Sequence, residues 1–249
     1  MKLATSNHLA AVVYADLFGY PLTVSEAKLW AIRKVREENS AQKLVQAEKI
    51  TEWLKKIPTI CAVFVTGSLA ANNAKKDADI DLMIITLPGA LWATRLIVFG
   101  ALKLFGKLKN PYCPNIFLDL NHLEILDKNL FTAHEVLQAK CLFDRGGVEK
   151  LWWQKNEWVK GYLPNVWKLK IKNCKLIRNL KLEIRNWWLL PFELTAYLLQ
   201  YLYMKSRITN EQVGWGFAFF HPHARGGKIL KKFEKNFLKA KQGKLSRNS

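Results

Sequence analysis

Residues 66–86, TGSLAANNAKKDADIDLMIIT, set three aspartates two residues apart at the entrance to an apolar run. The run from Ile80 to Thr86 is apolar and β-branched, the pattern of a strand buried in a sheet. Strand side chains alternate between faces, so Asp77, Asp79 and Asp81 share one side while Ala78, Ile80 and Leu82 share the other. Carboxylates one pleat apart repel each other unless a cation lies between them. Hard divalent ions take oxygen ligands, and Mg²⁺ is commonly held by one or two carboxylates together with substrate phosphates.

Ten residues separate Asp79 from Gly67-Ser68, which closes a second apolar run, TICAVFVT. A strand that turns into a helix there offers backbone N–H groups, a hydroxyl and a positive helix end to a phosphate. Glycine at the first position leaves room for close approach. A phosphate cradle and an acidic pair joined by one short helix suit a nucleoside triphosphate with its magnesium.

Around this stretch the pattern predicts helices over about residues 7–18 and 23–36, parted by GYPLT, and a helix capped by Ser40 that runs through Lys56. A short helix reaches about Asn73, and a long one covers about residues 89–107 before NPYCP breaks it. NIFLDLN then reads as a third strand, and from Phe131 the pattern is helical throughout. The expected fold class is α/β (α+β), a small mixed sheet with packed helices plus a C-terminal helical region. The expected organisation is an N-terminal helical segment (1–39), a core (40–130) and a basic helical C-terminal region (131–249).

The order Thr66-Gly67-Ser68, ten residues, Asp79-Ile80-Asp81-Leu82 resembles the signature of the DNA polymerase β-type nucleotidyltransferase superfamily. That signature is a hydrophobic residue, Gly, then Gly or Ser, a short spacer, Asp, a hydrophobic residue, and Asp or Glu; here the residue before Gly67 is a threonine. YADLFGYPLT, LWATR, TAHEV and FHP extend the resemblance to bacterial nucleotidyltransferase-domain proteins. In such relatives the YADLFGYPLT region begins a winged-helix-like segment. Only about twenty residues follow here before Ser40, too few to complete one.

The resemblance implies a polymerase β-like core that moves a nucleoside monophosphate from NTP to an acceptor hydroxyl and releases pyrophosphate. It implies two Mg²⁺ ions, replaceable by Mn²⁺, on Asp79 and Asp81, with a third carboxylate from a neighbouring strand. Asp119 in IFLDLN is the candidate, with Glu124 in reserve. Gly67 and Ser68 would hold the β- and γ-phosphates. Lys75 and Lys76 would neutralise the triphosphate, although two lysines in a polar loop are more often simply solvated. The rival readings are a catalytically inactive nucleotide- or RNA-binding module and a component of a toxin–antitoxin pair.

Charge separates the chain into parts. The formal net charge of +19 breaks down into +3 for residues 1–56, +1 for 57–150 and +15 for 151–249. The last hundred residues therefore carry the positive field, which would concentrate RNA or another polyanion. Cys61, Cys113, Cys141 and Cys174 form no CxxC pair, so reduced thiols in a cytoplasmic protein are expected rather than a zinc knuckle. His134-Glu135 lacks the second histidine of HExxH, which excludes a zinc protease of that kind, and His221 with His223 lacks further ligands nearby. The tryptophans of LWWQKNEWVKGYLPNVW read as core more readily than as a base-stacking surface. LWATRLIVFGALKLFGKL and NWWLLPFELTAYLLQYLYM are both too interrupted to span a bilayer, so buried or amphipathic helices and no transmembrane segment are expected.

Overall fold

The computed structural model of the protein describes residues 27–104, 112–173, 190–205, 211–220 and 224–245. The expected helix over residues 7–18, and Cys174, His221 and His223, lie outside them. The chain divides into two compact units, Arg36–Pro222 and Met1–Val35 with His223–Ser249.

The larger unit is built on six strands in the order β4-β1-β2-β3-β6-β5. Their ranges are β1 Ile60–Val65, β2 Ile80–Thr86, β3 Tyr112–Asp119, β4 Lys140–Asp144, β5 Gln212–Val213 and β6 Phe217–Phe219. β2 and β3 are parallel, and every other pairing is antiparallel. The described residues of the whole chain form eight α-helices: α1 Ala27–Leu54, α2 Gly67–Ala70, α3 Leu91–Leu104, α4 Leu130–Gln138, α5 Val148–Lys155, α6 Pro164–Asn173, α7 Leu190–Lys205 and α8 Ala224–Leu245.

The sheet buries both faces, which is why β1 and β2 are apolar almost throughout. Val63, Val65, Ile80, Leu82 and Ile84 pack one way, with Ile50 and Leu54 of α1, Leu91 and Trp92 of α3, and Ala196 of α7. Phe64, Met83, Ile85 and Leu118 pack the other way, with Val136 and Leu137 of α4, Trp152 and Trp153 of α5, and Trp167 of α6. Trp152, Trp153 and Trp167 are therefore buried in the core, as expected for them.

Three details differ from the sequence reading. Ser40 does not start a helix. No proline or glycine interrupts α1, which runs unbroken past Ser40, and Ser40 Oγ accepts the N–H of Ala74 instead (3.0 Å). NPYCP does not wholly separate helix from strand, because Tyr112, Cys113 and Pro114 already pair with Ile80, Asp81 and Leu82. Pro114 has no N–H to donate, and the ladder shifts register immediately after it. The region after Phe131 is not helical throughout: β4 joins β1 and β6 joins β3, so the sheet draws strands from both sides of residue 130.

α8 belongs to the smaller unit. It carries exposed Lys228, Lys231, Lys232 and Lys235, and Phe233 stacks on Phe237 with ring centres 5.8 Å apart.

Candidate active site

The turn after β1 is shaped by one glycine. Gly67 adopts φ +61°, a left-handed conformation that favours glycine, and a Cβ there would collide with Asp81 Oδ2. Thr66 N–H donates to the carbonyl of Asp81 (3.0 Å), so backbone and side chain of Asp81 both meet this turn. The spacing argument left Gly67 open to a ligand; the structure shows that it must first admit a carboxylate. α2 is a single turn, so its dipole is small. Thr66 makes no side-chain cap to it, which leaves the first-turn N–H groups to other acceptors.

The loop from α2 to β2 is pinned at several points. Asn73 N–H donates to Ser68 O (2.8 Å), and Lys43 Nζ of α1 donates to Ala78 O (2.6 Å). Lys140 Nζ donates to Asn72 Oδ1 (2.6 Å), tying the start of β4 to the same loop. These contacts come from three elements and hold the backbone that leads into Asp79. Asp79, Lys75 and Lys76 are exposed in or beside this loop, while Asp81 is half-buried.

β3 supplies the neighbours of Asp81. Cys113 is its register partner, and Asn115 Nδ2 donates to Asp81 Oδ1 (2.9 Å). Asn115 Oδ1 is buried with no hydrogen-bond partner, an uncommon expense for an amide oxygen. Burial pushes the Cys113 thiol up to about 11, with help from the charges of Asp81 and Asp79, so both carboxylates bear on that one side chain. From α4, Glu135 also reaches the field of Asp81. Solvent touches the residue, yet desolvation of its carboxyl and then the Asp81 charge push it up to about 7.

Asp119 is not part of this group. It sits six residues beyond Cys113, about 20 Å along β3. Two residues from Phe117, it faces the α3 and α7 layer, whereas Asp81 shares the face of Met83 and Ile85. Asp119 is 2% exposed, and its Oδ1 accepts from Asn121 N–H (2.9 Å) and lies 2.7 Å from His122 Nδ1. The parallel register pairs Asp119 with Thr86, at the other end of the strand pair from Asp81. Glu124, the reserve, is on the surface, paired with Lys128 (2.6 Å).

The position beside Asp81 that a third carboxylate would take is thus filled by Cys113 and Asn115. Sequence reasoning missed Asn115, although an asparagine next to a proline at the head of an apolar run was a visible signal. It also considered Glu135 only as part of a zinc motif. Among the described residues, no group of three His, Cys, Asp or Glu side chains is arranged to hold a metal. What the site offers is two carboxylates two residues apart, an amide that fixes one of them, and an open turn.

Residues 48–146 match the family model described as "Polymerase beta, Nucleotidyltransferase". No curated protein matches the chain. Among solved structures, one described as a toxin-antitoxin with AMP-PNP is 20% identical, covers 50% of this chain and 94% of its own, and superposes with a TM-score of 0.30. Another, described as a mutant of the toxin-antitoxin MntA-HpeT, is 18% identical with the same coverage and TM-score. The matched segment of the family model opens within α1 and closes just after β4, so it contains Gly67, Asp79, Asp81 and Asn115. Residues 48–146 are a polymerase β-type nucleotidyltransferase domain.

Proposed function

We propose that the protein transfers a nucleoside monophosphate from an NTP to an acceptor hydroxyl, with Mg²⁺ as cofactor, Mn²⁺ as a substitute, and pyrophosphate as the leaving group. The observation that carries this reading is the contact of Gly67 with Asp81. The left-handed glycine turn and the Asp81 carboxylate lie against each other, which supports a phosphate and its cation sharing one site. The donor set fits a hard cation, since Asp79 and Asp81 offer oxygen alone and Mg²⁺ needs no more than one or two carboxylates beside phosphate oxygens. The buried, unpartnered Asn115 Oδ1 is a further oxygen beside Asp81.

In this reading Asp79 and Asp81 would hold the cation, and Asn115 fixes the Asp81 carboxylate through its amide. What the bound cation supplies is neutralisation of the triphosphate and a more acidic acceptor hydroxyl. The N–H groups of the Gly67-Ser68 turn and the Ser68 hydroxyl bind phosphate oxygens, and Lys75 and Lys76 screen the remaining charge from solvent. The acceptor oxygen forms a bond to the α-phosphorus in line with the departing β-phosphate oxygen, and pyrophosphate leaves. The basic field of residues 151–249, α8 included, draws RNA or another polyanion to the molecule. We place the protein in the cytoplasm.

The deciding experiment incubates the protein with each labelled NTP, Mg²⁺ or Mn²⁺, and separate RNA, protein and small-molecule acceptor pools. Asp79→Asn/Asp81→Asn is the control. Label transfer that is equal in the two proteins sinks the mechanism. The distance of Asp119 from the acidic pair favours a second reading, a module that binds nucleotide without turnover. That reading predicts NTP binding abolished by the same double substitution and no labelled acceptor in any pool.

A further inference from the structure

α7 is turned inside out relative to an ordinary surface helix. Its polar residues Glu193 and Gln200 face the interior and are buried. Glu193 accepts from the N–H groups of Trp92 (2.7 Å) and Ala93 (2.8 Å) at the start of α3. Gln200 Nε2 donates to Trp92 O (2.8 Å), and its Oε1 accepts from Arg95. Four hydrogen bonds therefore fix which side of α7 meets α3. The side left outward carries Phe192, Leu198, Leu199 and Leu202, at 68, 47, 61 and 66% exposure, and α3 adds Leu96 and Ile97 at 51 and 52%.

Along these two helices the exposed charge has one sign. α3 contains no acidic residue, and the only acid of α7 is the buried Glu193. Each helix carries a lysine, Lys103 or Lys205, in its last turn. An exposed apolar face on two helices that carry exposed Lys103 and Lys205 and no exposed acid has the chemistry of a surface that lies on an anionic bilayer. None of the described helices is long and apolar enough to cross one.

We propose that the α3–α7 face docks the protein side-on against an anionic lipid bilayer. Docking uses apolar burial of Phe192, Leu198, Leu199, Leu202, Leu96 and Ile97 together with attraction of Lys103 and Lys205 to lipid phosphates.

The test is sedimentation of the full chain with vesicles of phosphatidylglycerol and phosphatidylcholine in equal parts, and with phosphatidylcholine alone. The wild type pellets with the mixed vesicles and stays in solution with the neutral ones. Leu199→Ser/Leu202→Ser removes apolar area without adding charge and weakens binding at least about tenfold. Leu199→Phe/Leu202→Phe keeps it, and circular dichroism with thermal melting shows that both variants fold. Three outcomes overturn the proposal. The first is no pelleting of the folded wild type with mixed vesicles. The second is binding unchanged by the serine pair, which would assign adhesion to lysines elsewhere. The third is a wild-type dimer by light scattering that the serine pair converts to monomer while vesicles capture neither, which would make the face a contact between two copies.

Discussion

The two ends of the β2–β3 pair carry an aspartate each and treat it in opposite ways. At one end Asp81 is half-buried, seated against a glycine turn, with the exposed Asp79 two residues before it. At the other, Asp119 is sealed in, with His122 and the Asn121 N–H taking its Oδ1 and Gly216 pressed against both side chains. One carboxylate lies half-buried beside a turn, and the other is sealed into the fold. Two aspartates on adjacent parallel strands therefore need not belong to one site; their place along the register decides it.

The comparison is broken most readily by exchanging each aspartate for its amide. Asp79→Asn/Asp81→Asn is expected to cut nucleotide transfer at least about 10³-fold, measured by label incorporation, with little change in urea midpoint. Gly67→Ala forces a left-handed residue and a carboxylate collision together, and should lower transfer at least tenfold while costing about 1–3 kcal/mol of stability. Asp119→Asn should do the reverse of the first pair. Stability falls by about 1–3 kcal/mol in urea titration, because the histidine and backbone N–H lose a charged acceptor, and transfer changes less than tenfold. Loss of transfer in a stable Asp119→Asn protein would erase the distinction between the two ends.

A pH titration sharpens the picture on the Asp81 face. Burial pushes the His134 imidazole of α4 down from 6.5 to about 4. The unfolded chain then takes up this proton first as pH falls. The stability from a neutral His134 is complete above pH 6.5 and is lost progressively down to about pH 4, by up to about 3 kcal/mol. His134→Gln should flatten that part of the stability curve. The smallest effect concerns neither end: Lys231→Glu/Lys232→Glu/Lys235→Glu in α8 should weaken RNA binding and make its logarithmic salt slope shallower by about 2.

Much of the acidic end was legible because the evidence for it is local. Ile80–Thr86 forms a strand with the bounds its composition predicts, and Gly67-Ser68 forms the turn. What escaped depends on partners distant in sequence. Pro114 reads as a break by itself, but its missing N–H is tolerated at a register shift, and that shift brings Asn115 to Asp81. Nothing in IFLDLN says which end of β2 Asp119 will meet. Lys140–Asp144 is a five-residue strand whose pairing with β1 has no local marker. The hairpin of β5 and β6 did leave one, since VGWGFAF alternates aromatic and small residues around two glycines.

The sheet order also sets a timetable for synthesis. β3 ends at Asp119 and its outer partner β6 begins at Phe217, so about a hundred residues must emerge before that edge is covered. At roughly 5–20 residues per second, the nascent chain leaves the β3 edge open for about 5–20 s. During that interval Phe117 and Leu118 lie beside a row of unpaired backbone groups, the arrangement that invites pairing with a neighbouring chain. A ribosome that slows between these two strands would prolong the hazard, and one that runs quickly would shorten it.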